Sequence, residues 1–272
     1  MKFAHLRVEG QTVPRLATVV GDSAIFLDEV MEHAPRDLQE LIERGERGLD
    51  AVRTAVDVVV SAGGDLTPVA DLRHSSAVLR PPQVLAIGAN YAAHASELKL
   101  RSETAMTVFS LWPNSLTGHG QTTTWPEDLS AQVDYEPSSA SSSVAPRAAS
   151  TGATRSTSCG GYTVVNDITA RDIQFSEAQW SRCKSFDGFT PTGPPVVVTA
   201  DEIADPQDLW LTTNLDGRIL QDASTNEMVR GVAEIISYLS RSATIPAGTL
   251  ISTAARAGPA TRAARRCSST TA

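Results

Sequence analysis

Apolar and polar positions alternate over the first thirty residues, in KFAHLRVEG, RLATVV and AIFLDEV, which predicts two or three short strands joined by turns. From Arg36 to about Val60 the rhythm lengthens. Leu38, Leu41, Ile42, Leu49, Val52 and Val56 recur at helical spacing, and SAGGDLTP then ends the run. A small αβ unit over residues 1–72 is expected, followed by a larger unit over 73–272.

The second unit reads differently. VLAIGAN has the character of a buried strand, and NYAAHASELKL continues it as a helix. An irregular stretch leads to VDYE. GYTVVND predicts a strand, TARDIQFSEAQW a helix, PVVVTA a strand, and LWLTTNLDGRILQD a hairpin turning at Asp216-Gly217. A helix near 226–240 and a turn and strand in PAGTLIST complete the pattern. Strands outnumber helices without regular βαβ alternation, so the class expected is α+β.

Two segments break the pattern. The 24 residues 137–160 hold eight Ser, five Ala and three Thr, with no Asp, Glu, Leu, Ile or Phe. Residues 254–272 show no periodicity at all. The formal charge of −8 argues against non-specific binding of nucleic acid, and six Arg with no acid fall in these two segments alone. Cys159, Cys183 and Cys267 form no CxxC pair, which suits a reducing compartment. No apolar run approaches the ~20 residues that span a bilayer, and the expectation is a cytoplasmic chain with no membrane partner.

Few local patterns carry chemistry by themselves. His94 and Glu97, three apart on the expected helix, share a face, as a water-activating dyad requires; an ordinary surface pair fits the same spacing. Asp167, Arg171 and Asp172 crowd the end of a strand, where carboxylates suit a hard divalent cation, although an Asp cap with an Arg–Asp surface pair explains the same residues. Asp134 and Glu136 occupy alternate positions and point to one face. Lys184, in CKSFD, is a cation able to stabilise an oxyanion.

The order of these pieces is far more specific. VLAIGANYAAHASE, SLTGHG, VDYE, GYTVVNDITARDIQ, KSFDGFTPTGP, LDGRILQDASTNEM and PAGTLIST, running over about residues 81–253, resemble the fumarylacetoacetate hydrolase family. Residues 1–72 resemble the small N-terminal domain that many bacterial members carry. The resemblance implies a mixed β-roll and a homodimer. It also implies a divalent cation, Mg²⁺ or Mn²⁺, held by an E-x-E pair and the first Asp of NDxxARD. Glu136 and Asp167 match two of those ligands, but Ser138 stands where the second Glu belongs. His94 and Glu97 match the dyad, Lys184 the lysine that stabilises developing charge, and Gln174 and Thr253 substrate-site residues. After Ser252-Thr253 the family loop, ST-G-T-P-A-G, gives way here to Ala254-Ala255-Arg256.

Both odd segments are expected to be out-of-frame translation, with a genuine Ser/Ala-rich flexible insert as the alternative for 137–160. One set of codons for PSSASSSV, read two bases further on, spells Glu-Leu-Gly-Val-Val-Ile-Gly, close to the family's x-E-L-x-V-V-I-G. A similar shift in TRAARRCSSTTA gives a string like the family's RPPVFL. On that reading residues 137–160 lack the family strand, and the C-terminal strands are absent. Two functional expectations follow. One is a metal-dependent hydrolase, isomerase or decarboxylase of oxo-dicarboxylic acids from aromatic breakdown. The other is a non-catalytic remnant of such an enzyme.

Overall fold

A computed structural model describes residues 1–64, 66–91, 106–143, 159–193 and 197–255. Strands β1 (Lys2–Val8), β2 (Arg15–Val20) and β3 (Ser23–Phe26) form an antiparallel meander, as the opening alternation predicts. A single turn, α1 (Leu27–Val30), leads to the long helix α2 (Leu38–Ser61), which breaks its helical geometry at Gly45. Asp37 caps α2 by accepting the Glu40 N–H at 2.9 Å, satisfying one of the free donors of the first turn. Leu38, Leu41, Val52 and Val56 are buried along one stripe, so the spacing read from the sequence is the packing face. β4 (Thr67–Pro68) and β5 (Leu72–His74) return the chain to this sheet.

The next elements are β6 (Val84–Gly88), β7 (Thr107–Ser110), β8 (Leu116–Gly118), β9 (Val133–Asp134), β10 (Pro137–Ser143) and β11 (Cys159–Asn166). After them come β12 (Thr169–Ala170), the short helix α3 (Arg171–Ser176), β13 (Thr190–Thr192) and β14 (Val197–Thr199). The hairpin β15 (Trp210–Leu215) and β16 (Arg218–Ser224), helix α4 (Val232–Ser240) and β17 (Leu250–Ala255) complete the described chain. The hairpin turns where expected. Asp216 and Gly217 both have positive φ, 50° and 79°, as a two-residue turn matched to strand twist requires.

Among the described residues, thirteen strands make one mixed sheet whose main path runs β4-β3-β2-β1-β14-β11-β10-β17-β6-β7. Most pairs are antiparallel; β6·β17 and β8·β13 are parallel. The α+β expectation holds. β1 is bonded directly to β14, and one apolar cluster takes Phe3, Leu16 and Leu38 together with Val84, Phe109, Val165 and Leu250. No helix among the described residues is long and apolar enough to cross a membrane.

One expectation is corrected. Residues 137–143 do not lack a strand: their backbone forms β10 in the middle of the sheet, pairing Ser138–Val165 and Ser141–Tyr162 on one side and Ser141–Ile251 on the other. A Ser/Ala run carries no apolar alternation of its own, but two neighbouring strands supply its amide and carbonyl partners, and context overrides propensity. The remainder of that segment, 144–158, and residues 256–272 lie outside the described residues.

The topology determines where a site can form. β6, β11 and β17 all end, and β10 begins, at the same edge of the sheet. Residues just beyond those strand ends therefore converge.

Candidate active site

Glu136 immediately precedes β10 and Asp167 immediately follows β11. The two positions are stapled by the Asp167 N–H donating to the Glu136 carbonyl at 2.8 Å and the Glu136 N–H donating to Asn166 Oδ1 at 2.9 Å. Lys184, in a short turn over Arg182–Lys184, reaches between their carboxylates. Its ammonium donates to Asp167 Oδ2 at 2.7 Å, to Thr169 Oγ1 at 2.8 Å and to Glu136 Oε2. Three N–H donors meet three acceptors, in a side chain only 2% exposed.

Arg171 carries the second cation. It donates to Glu136 Oε1 at 2.6 Å, to Asp134 Oδ2 at 2.9 Å and to Gln174 Oε1 at 2.8 Å. Asp134 and Glu136 thus do present one face, as their alternate positions predict. Asp172 turns away and accepts from Ser130 Oγ and the Ala131 N–H, outside this network.

Burial shapes the ionisation here. Desolvation opposes the Lys184 charge, but Asp167 and Glu136 outweigh it and hold the lysine pKa above its ordinary value. Burial likewise pushes the Asp167 carboxyl up, with Glu136 adding repulsion and Lys184 pulling the other way. By formal count the group sets three carboxylates (Asp134, Glu136, Asp167) against two cations, one carboxylate in excess.

A narrow cleft opens on this network. Its walls include Gly88 at the end of β6, Ala89 just beyond it, Phe109 on β7, Gln174, Trp180 and Ala254. Phe109 and Trp180 pack edge to face with ring centroids 5.5 Å apart. Gly88 lies so close to the indole that a Cβ there would fall 2.4 Å from Trp180 Cζ3. Among the described residues, Asp167 Oδ1 is a polar atom of the site buried without a partner. An orphaned carboxylate oxygen in a charged cleft is the atom a cation would claim.

The structure therefore brings Glu136, Asp167, Lys184 and Gln174 together. Thr253 is buried; its carbonyl accepts from Asn90 Nδ2 at 3.0 Å, and its neighbour Ala254 lines the cleft. His94 and Glu97 lie outside the described residues. Among the described residues no three His, Cys, Asp or Glu side chains converge as a metal site. Arg171, Thr169, Phe109, Trp180 and Asn90 are the participants that sequence reasoning passed over or read as surface. Only Arg171 and Thr169 had a signal, inside NDITARD.

Comparison with known proteins places this geometry. Residues 83–269 match the family described as "Fumarylacetoacetate (FAA) hydrolase C-terminal". Oxaloacetate tautomerase Fahd2a, mitochondrial, of Rattus norvegicus is 31% identical over 240 residues, covering 88% of this chain and 74% of the relative. Fumarylacetoacetate hydrolase of the psychrophile Exiguobacterium antarcticum superposes with a TM-score of 0.78 at 30% identity, over 95% of this chain and 87% of that one. Maleylpyruvate hydrolase of Sphingobium sp. SYK-6, solved in complex with manganese(II) and pyruvate, shares the fold with a TM-score of 0.77 at 22% identity, over 95% and 89% of the two chains. A family match across the strands that build the cleft, joined to the buried Glu136–Lys184–Asp167 cluster, has one reading: this chain belongs to the fumarylacetoacetate hydrolase family.

Proposed function

We propose that the cleft is a divalent-cation-assisted site for enolisable oxo-dicarboxylic acids, with keto–enol conversion of an oxaloacetate-like acid as its first activity. Hydrolysis or isomerisation of related β-diketo acids is the wider class. The observation that carries this reading is Asp167 Oδ1, a buried carboxylate oxygen without a partner among the described residues, in a cluster with one more carboxylate than cations. An oxo-dicarboxylate is itself an anion. It cannot enter such a cleft favourably unless a cation accompanies it.

Asp167 and Glu136 would hold Mg²⁺ or Mn²⁺, and the position matched to a third carboxylate is the neutral Ser138. When bound, the ion supplies a Lewis acid for the oxygens of the oxo acid. The remaining work falls to the chain. Lys184, its three donors already committed, acts through its charge, fixing two carboxylates and opposing the rise that burial imposes on Asp167. Arg171 orients Glu136 and Gln174. Phe109 and Trp180 exclude water from the carbon that loses or gains a proton. His94 and Glu97 remain the proposed proton-transfer dyad.

The likeness to an oxaloacetate tautomerase supports the choice of first substrate. The same reading takes the chain to be a homodimer, for which Trp210 and Ile219, exposed on the β15–β16 hairpin, offer apolar surface; sedimentation as a monomer at all concentrations would exclude it.

The test is the decay of enol-oxaloacetate followed with and without Mn²⁺, beside calorimetric Mn²⁺ titration. Cation-dependent acceleration and a titration, both abolished by Asp167→Asn, are expected. Acceleration unaffected by Asp167→Asn would place the chemistry elsewhere. A chain that folds but neither binds Mn²⁺ nor turns over oxo acids would support the second reading, a non-catalytic remnant, which the neutral residue at 138 favours.

A further inference from the structure

Three described residues other than glycine have positive φ, and two of them, Ala89 at 55° and Ala254 at 81°, line the same cleft. Backbone of this kind is strained for an alanine and persists only where its surroundings impose it. Ala89 follows β6 and Ala254 lies near the end of β17, two parallel neighbours in the sheet. Each of the two alanines sits next in the chain to one partner of a single hydrogen bond. That bond runs from Asn90 Nδ2 to the Thr253 carbonyl at 3.0 Å, the carbonyl of the Thr253–Ala254 peptide.

Asn90 does more than this. Its Nδ2 also donates to the Arg230 carbonyl at 2.9 Å, its Oδ1 accepts the Arg230 N–H at 3.0 Å, and its own carbonyl accepts the Val229 N–H at 2.7 Å. The side chain is 2% exposed and mates β6, β17 and the loop before α4. Only a carboxamide matches this set. Aspartate has no donor for two carbonyls, and leucine has neither donor nor acceptor.

We infer that Asn90 is a positioning residue: its carboxamide fixes the Thr253–Ala254 peptide plane and so holds Ala89 and Ala254 in left-handed backbone on either side of the cleft mouth. Its effect on turnover rests on the reading given under Proposed function; its effect on the backbone does not.

A double-mutant cycle tests the backbone part without any activity. Ala254→Gly should raise the folding equilibrium constant about tenfold in the natural background, since glycine adopts that φ freely. In an Asn90→Ala background the same change should gain less than about twofold, because the peptide is no longer held there. Equal gains in both backgrounds would overturn the inference. If Asn90→Ala does not fold, Asn90→Ser, smaller and still polar, carries the same cycle.

Turnover supplies the second readout. If the chain converts enol-oxaloacetate, Asn90→Ala should lower kcat by roughly a hundredfold with little change in KM, the signature of misplaced rather than missing contacts. A fall in KM-linked binding alone, with kcat intact, would count against it. Absence of activity in the unmodified chain would defeat the proposed function and leave the cycle to decide on Asn90.

Discussion

Lys184 Nζ lies 2.7 Å from Asp167 Oδ2, in a pair whose side chains are 2% and 7% exposed. Charges so placed have little water to fall back on. Removing the cation leaves the Asp167 carboxylate facing Glu136 with no lysine between them, while Arg171 still holds Glu136 from its other side. Lys184→Met is expected to destabilise the chain by about 3–5 kcal/mol, the usual cost of breaking a buried pair from one side. Urea unfolding at neutral pH measures it. A loss below 1 kcal/mol would mean that water reaches the cluster.

A second buried base governs the response to acid. His5 on β1 accepts the Leu38 N–H at Nε2 (3.1 Å) and lies 3.1 Å by Nδ1 from the Ala77 carbonyl, so it is neutral and ties β1 to the start of α2. Burial lowers its pKa from 6.5 to about 4. The unfolded chain therefore takes up a proton at higher pH than the folded one. The stability that neutral His5 contributes is complete above pH 6.5 and is lost as pH falls toward 4, with a ceiling of about 3 kcal/mol at 1.36 kcal/mol per unit. Denaturation curves at pH 7.5, 6 and 5 should show that slope, and His5→Gln should flatten it. An unchanged slope would assign the acid sensitivity to other groups.

The correction at 137–143 changes what a single substitution should do. With β10 in place between β11 and β17, position 138 already sits on a paired backbone two residues from Glu136. Ser138→Glu alone is then expected to tighten Mn²⁺ binding about tenfold or more, since carboxylate count sets affinity for hard cations. Calorimetric titration of both proteins decides this. Equal affinities would show that a carboxylate at 138 does not reach the cation.

Gly88 and Trp180 make a packing test of the cleft wall. Gly88→Ala places a methyl 2.4 Å from the indole. The ring must move, at a cost of about 1–3 kcal/mol typical of overpacking. Indole fluorescence should shift with the loss of stability; a silent, fully stable variant would mean the ring is free to swing.

Much of this was legible in the chain. The family resemblance carried by the order of motifs points to Glu136, Asp167, Lys184 and Gln174, and the structure brings these four side chains to one cleft. Arg171 was less legible, because an Arg beside an Asp reads as a surface pair until β9 and the start of β10 bring Asp134 and Glu136 against it. Asn90 was invisible for another reason. Its side-chain partners are 140 and 163 residues away, and no local pattern encodes a distance of that kind. The β10 strand was missed because strand propensity is read from side chains, whereas this strand is held by backbone partners on both edges.

The pairing of β17 with β6 bears on how the molecule comes together in time. Leu250 registers against Val84 and Ser252 against Ala86, contacts that close most of the chain into a single loop. Such non-local closures come late and slowly, since their entropy is lost before their contacts repay it. The cleft wall at Ala89 and Ala254 is therefore expected to form late in folding, with the other long-range pairings of the sheet. A chain arrested short of it would hold a mostly formed sheet around an unbuilt mouth, so the recovery of ligand binding during refolding should lag behind the recovery of strand signal.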